Sequence, residues 1–209
     1  MARLATNLIL AASLTLVCTT AGVAQDSESG RKLYAPCAGC HGSAGEGNRS
    51  LHAPKLAGRE DWYLQRQLEN FRSRMRGTAA DDLYGQQMAN AALVLWDDRE
   101  VRDVAAFAAA LPSPEPARTV RGRTARGETL YELCAACHGR AGEGSAAIAA
   151  PKLAGLDDWY IVDQLRLFQN GLRGAHSEDS YGQQMRPVTD SLPDEQALLD
   201  VASYINTLN

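Results

Sequence analysis

One five-residue pattern occurs twice in this chain. Cys37-Ala38-Gly39-Cys40-His41 returns 97 residues later as Cys134-Ala135-Ala136-Cys137-His138. On a helix, positions i, i+3 and i+4 share a face, so two thiols and an imidazole can meet one macrocycle edge and its metal together. A Cys-x-x-Cys alone also suits a zinc or thioredoxin-like site. A histidine directly after the second cysteine, present in both copies, selects covalent attachment of a c-type haem: thiols to the vinyl groups, imidazole to the iron.

The offset of 97 holds without a gap from Gly30/Gly127 to Leu111/Leu208. Ala53-Pro54-Lys55-Leu56-Ala57-Gly58 is repeated at 150–155, Asp61-Trp62-Tyr63 at 158–160, and Tyr84-Gly85-Gln86-Gln87-Met88 at 181–185. Two units are too few for a solenoid. Each unit reads as helical. A first helix begins near 27–30, or near Gly127, and runs into the haem motif. Leu64, Leu68, Phe71 and Met75 mark a second, mirrored by Ile161, Leu165, Phe168 and Leu172. Gly77 and Gly174 are placed to end it. A last helix carries Val101, Val104, Ala105, Ala108 and Leu111, with Pro193 suited to the first turn of its copy. The expected fold class is all-α: two tandem cytochrome c-type haem domains, three helices each, related by internal duplication.

The expected boundaries are a signal peptide at 1–24, domain 1 at 25–112, a linker at 113–126 and domain 2 at 127–209. Arg3, the apolar run to Val17 and small residues at 22–24 fit an export signal cleaved near Ala24, too short to favour a membrane anchor. Cys18 leaves with it. The four remaining cysteines all sit in the haem motifs, so no thiol remains for a disulfide or a catalytic role. The expected compartment is the periplasm. Three prolines at 112–116 read as a semi-rigid spacer. Each unit is small enough to need its haem as core, so the apo-protein should fold poorly.

Charge is uneven: net −1 over 25–112, +3 over 113–126 and −7 over 127–209. Such asymmetry can steer a partner, or it is an ordinary solvated acidic face. With no net positive domain and no stacked aromatic platform, nothing favours nucleic acid as a partner.

A sixth ligand must approach each iron from the far side of the ring. Met88 and Met185 are the candidates, each 47 residues after its histidine and each in a polar stretch read as a loop. A thioether favours ferrous iron and fills the last coordination position, leaving no open site for peroxide. Met75 aligns with Leu172 and reads as core. His52 aligns with Ala149 and His176 with Ala79, so neither serves both units and each reads as a surface or loop residue; His176, nine residues before Met185, is the one ligand-switch candidate.

With paired CxxCH motifs, Ala-Pro-Lys-Leu-Ala-Gly, Trp-Tyr and Tyr-Gly-Gln-Gln-Met, the chain resembles the class I dihaem cytochromes c of the cytochrome c4 family. The resemblance spans the mature chain. It implies two cytochrome c folds about a pseudo-twofold axis, with haem edges close across the interface. It also implies proline carbonyls at Pro54 and Pro151 that accept from the proximal histidines. Lys55, Lys152, Arg76 and Arg173 could reach haem propionates, although a solvated role is the expectation for each. Trp62/Tyr63 and Trp159/Tyr160 are expected to pack near the pockets.

The function expected is electron shuttling by two covalently attached haem c groups. Cys37, Cys40, Cys134 and Cys137 hold the cofactor; His41, Met88, His138 and Met185 bind iron; there is no catalytic residue. The resemblance implies a quinol-oxidising complex or dehydrogenase as donor and a terminal oxidase as acceptor, with membrane contact only through those complexes. The alternatives are a cytochrome subunit of a larger oxidoreductase, such as a flavoprotein sulfide dehydrogenase, and a dihaem peroxidase or thiosulfate-oxidising enzyme. An extensive apolar face on one unit would favour the subunit.

Overall fold

The computed structural model describes residues 21–208. Most of the expected signal segment, 1–20, lies outside them. Eight α-helices follow in order: α1 (Ala21–His41), α2 (Asp61–Arg72), α3 (Leu83–Ala91), α4 (Asp98–Ala109), α5 (Thr124–His138), α6 (Asp158–Gln169), α7 (Ser180–Asp190) and α8 (Glu195–Ile205). Among the described residues there are no strands and no helix long and apolar enough to cross a membrane. The all-α, two-unit expectation holds, with four helices per unit rather than three.

The additional helices are α3 and α7, which contain the Tyr-Gly-Gln-Gln-Met segments expected to be loops. The Asp82 carboxylate caps α3 by accepting from the Gly85 amide at 2.9 Å, and Asp179 caps α7 from Gly182 at 2.9 Å. An aspartate three residues before a glycine in a polar run reads as a turn, but here it satisfies a free helical amide and starts the helix. Other boundaries also move. α1 and α5 begin earlier than expected, at Ala21 and Thr124. α2 stops at Arg72, so Met75 falls beyond it and is only half-buried; Gly77 lies five residues past the end. Asp194 caps α8 by accepting from Ala197, which places Pro193 before the cap rather than in the first turn.

In each unit the haem-motif helix packs on the last helix, α1 on α4 and α5 on α8. They cross at glycines: a Cβ on Gly30 would overlap the Asp103 carbonyl, and one on Gly127 the Asp200 carbonyl. Around these crossings lie the two cores. The first contains Tyr34, Leu64, Leu95, Val101 and Val104; the second contains Tyr131, Ile161, Leu165, Leu198, Val201 and Ile205. Each fully buried large apolar side chain contributes about 1.5–3 kcal/mol relative to exposure.

The linker is fastened to both units. The Lys55 ammonium donates to the Pro114 carbonyl at 2.7 Å. Buried Asp158 accepts from the amides of Thr119 and Val120 at 2.7 and 2.8 Å, and buried Asp200 accepts from the Arg123 amide at 2.7 Å. Residues 124–126, expected in the linker, form the first turn of α5.

The unit–unit contact is reciprocal. The Asp157 carboxylate accepts from the Lys55 amide at 3.0 Å, and Glu60, the residue 97 positions before Asp157, accepts from the Lys152 amide at 2.8 Å. Each unit thereby holds the other's Pro-Lys-Leu-Ala-Gly loop, as a pseudo-twofold arrangement requires.

Candidate haem sites

α1 ends on His41 and α5 on His138, so each Cys-x-x-Cys-His occupies the final helical turn. Tyr34 and Tyr131 anchor those ends, donating to the carbonyls of Gly42 and Gly139 at 2.9 and 2.8 Å. Of the four motif cysteines, Cys37 and Cys134 are half-buried and Cys40 and Cys137 exposed. Burial pushes the Cys37 thiol above its ordinary range and the Cys134 thiol up to about 11.

Both histidines are 5% exposed. His41 Nδ1 lies 2.8 Å from the Pro54 carbonyl oxygen and His138 Nδ1 lies 2.7 Å from that of Pro151. A carbonyl only accepts, so Nδ1 carries the proton and donates. The neutral ring then keeps a lone pair on Nε2, the atom a metal would take. Burial, partly opposed by the proline carbonyl, holds both histidines below their ordinary pKa. The arrangement suits a neutral ligand.

Met88 and Met185 ride on α3 and α7, both half-buried. Met88 packs against the buried cluster of Phe71, Ala89 and Ala92. The first glutamine of each Gly-Gln-Gln-Met fastens its helix to the preceding loop. Gln86 donates to the Ala79 and Ala80 carbonyls at 2.7 and 3.0 Å, and Gln183 does the same to His176 and Ser177. Gly77 and Gly174, both at positive φ, lie so close to Gly85 and Gly182 that a Cβ would overlap backbone. Their role is to let this helix approach the turn after α2 or α6.

His176 is exposed, and its Nδ1 accepts from the Glu178 amide. His52 lies at the inter-unit boundary, with Nδ1 3.1 Å from an Asp163 carboxylate oxygen and its ring stacked on Tyr84 at 4.0 Å.

The expectation of solvated basic residues fails for three of the four. Lys55 is 2% exposed and is committed to the linker carbonyl. Arg76 is 7% exposed, with its Nε buried and unpartnered. Arg173, partly buried, donates to Tyr63 Oη at 3.0 Å. Neither Arg76 nor Arg173 has a carboxylate partner among the described residues; their acceptors are Gln67, Gln164 and Tyr63. Two guanidiniums brought together in a desolvated boundary favour an anion beside them. Haem propionates fit, as do the motif thiols and the oriented imidazoles. No pattern in the sequence marks Arg76 and Arg173 as buried, because each follows a helix end, where a solvated charge is the ordinary outcome.

The family model described as Cytochrome c matches residues 27–111 and again 124–209. The chain is 34% identical to "Thiosulfate dehydrogenase electron acceptor" of Stutzerimonas stutzeri (strain A1501), over 74% of this chain and 72% of that one. It is 30% identical to "Cytochrome c4" of Thiocapsa roseopersicina, over 88% and 93%. The crystal structure of reduced recombinant cytochrome c4 from Pseudomonas stutzeri superposes with a TM-score of 0.68 at 26% identity, covering 88% of this chain and 98% of that one. The doubled motif, the doubled family match and the shared fold converge: this chain belongs to the cytochrome c family as a class I dihaem cytochrome of the c4 type, with two covalently attached haem c groups.

Proposed function

We propose that the protein is a periplasmic electron carrier with two His/Met-ligated haems, exported by a signal peptide removed near Ala24. Cys37 and Cys40 attach the first haem and Cys134 and Cys137 the second. His41 and Met88 bind one iron, His138 and Met185 the other. Bound in this way, the haems supply reversible one-electron storage, and methionine ligation raises their potentials. The polypeptide's part is to orient the ligands, exclude water and present a surface to partners. The proline-anchored tautomer of both buried histidines is the observation that carries this reading. The donor is a quinol-oxidising complex or a dehydrogenase, and the acceptor a terminal oxidase.

The second reading, a subunit bound to a larger oxidoreductase, is favoured by one feature of the first unit. Leu83, Leu93, Val94 and Trp96 are all more than half exposed, Trp96 at 89%. Their counterparts 97 residues on are Ser180, Asp190, Ser191 and Pro193. Exposed apolar residues gathered on one unit suit protein contact. A relative bearing the name thiosulfate dehydrogenase electron acceptor supports the same reading.

The test is electron delivery by the fully reduced holoprotein. It should give up two electrons to oxidase-containing membranes and show no turnover with peroxide or thiosulfate alone. Steady turnover of either substrate without a partner would replace the carrier by an enzyme.

A further inference from the structure

Each of the helices carrying Met88 and Met185 is reached from the opposite unit, at equivalent points. Tyr84 on α3 and Tyr181 on α7 stand four residues before their methionines. That spacing is one turn, on the same helical face. The guanidinium of Arg66, a residue of the first unit, lies 4.7 Å from the centre of the Tyr181 ring, and its Nη2 donates to the Ala149 carbonyl at 3.0 Å. In the repeat, Arg66 corresponds to Asp163 and Ala149 to His52. The opposite side of the boundary uses these two residues in place of the arginine and the carbonyl. Asp163 of the second unit faces His52 Nδ1 at 3.1 Å, and His52 stacks on Tyr84, ring centres 4.0 Å apart and planes 12° from parallel. His52 and Ala149 end equivalent turns, both at positive φ, so the same strained backbone presents the contact in both units.

We propose that each unit positions the axial methionine of the other, Arg66 acting on Met185 through Tyr181, and Asp163 acting on Met88 through His52 and Tyr84. A guanidinium over a tyrosine face is held by the ring's quadrupole, and parallel rings at this distance make a close stacked contact. Neither contact is available within a single unit. The caps and glutamine tethers of α3 and α7 reach only to residues within seven positions along the chain, so they fasten each helix to a loop that can move with it. The remaining inter-unit hydrogen bonds among the described residues join the proximal loops or α2 and α6. Buried Arg59, for one, donates to the carbonyls of Lys152 and Ala154 at 3.0 and 2.8 Å. A thioether is a neutral ligand with no charge attraction to ferric iron, so its hold depends on how firmly its helix is kept in place. Methionine ligation in both units is thereby tied to closure of the boundary between them.

The inference rests on the electron-carrier reading and on Met88 and Met185 as ligands. The experiment is a titration of the ferric holoprotein with imidazole, an external ligand that replaces a loosely held methionine. Each haem is followed by its own methionine methyl proton signals, assigned by their loss in M88A and M185A. R66A, a change in the first unit, should lower the imidazole concentration that displaces Met185 by roughly two- to fivefold, the factor a partly exposed cation–π contact supplies, and leave Met88 unaffected. R66K, which keeps a cation over the Tyr181 ring, should recover most of that loss. D163A, a change in the second unit, should loosen Met88 and leave Met185 unaffected, and it decides the matter if R66A does not fold. Equal loosening of both methionines in either variant, loosening confined to the substituted unit's own methionine, or no change in either variant would overturn the assignment, since a general weakening of the boundary predicts no crossed pattern. Absence of methionine methyl signals from the unsubstituted protein would instead remove the carrier reading itself.

Discussion

Arg76 and Arg173, from different units, donate to the same two side-chain oxygens. Arg76 reaches Gln67 and Gln164, both at 2.6 Å; Arg173 reaches Gln164 at 2.7 Å and Gln67 at 3.1 Å. Burial first, and then the neighbouring Arg173, pushes the Arg76 guanidinium below its ordinary pKa, which remains too high for it to lose its charge at neutral pH. Burial acts to raise the Tyr63 hydroxyl, but Arg173 and Arg76 together hold it below its ordinary value. The boundary is thus a positively charged, hydrogen-bonded lattice whose symmetry follows from the duplication.

A lysine cannot bridge two amide oxygens as a planar guanidinium does. R76K is expected to weaken the inter-unit contact by about 1–3 kcal/mol, the range for unsatisfied buried polar groups. Limited proteolysis within residues 112–123 reads this directly. Cleavage should be faster in R76K, and an unchanged rate would show that the linker's own fastenings hold the units together.

Asp200 is fully buried and accepts from the Arg123 amide, Gln196 and Arg126. Burial favours its neutral form, but these donors outweigh it and leave the carboxyl below its ordinary pKa. A lowered folded pKa gives stability that is complete above the ordinary carboxylate value of about 3.9 and is lost as pH falls through the folded value. D200N should therefore destabilise the second unit by about 1–3 kcal/mol at pH 7. The deficit should shrink below about pH 4. Denaturant unfolding at both pH values checks the sign, and a deficit that grows with acid would refute it.

M185A is expected to convert the second haem to a high-spin form of lower potential and leave the first unchanged; M88A should do the reverse. Optical and magnetic-resonance spectra of the two variants separate the sites. Retained low-spin character in M185A would point to His176 as the ligand.

Trp96 makes little contact with its own fold, so W96S should alter stability by no more than about 0.5 kcal/mol. Electron exchange with a partner should slow several-fold or more if Trp96 lies in the docking surface. An unchanged exchange rate with an unchanged melting curve would move docking elsewhere.

The sequence made the duplication, the helical class and the cofactor legible, because covalent haem attachment demands particular residue types at fixed spacing. Pro54 and Pro151 were legible only through resemblance, since a carbonyl leaves no side-chain signature. α3 and α7 escaped periodicity because their stabilisation is local, in the Asp82 and Asp179 caps and the Gln86 and Gln183 tethers. Burial of Lys55, Arg76 and Arg59 arises only when two units and a linker close on one another. For Arg59 the signal was present as a break in the repeat, arginine against Leu156.

The electron-carrier function proposed for this chain requires two six-coordinate, His/Met-ligated haems. A redox-titrated optical spectrum of the purified holoprotein tests it most directly. Two low-spin haems, each with the weak red methionine–ferric band and a high potential, are the predicted result. A high-spin component, or one haem at much lower potential without that band, would contradict it.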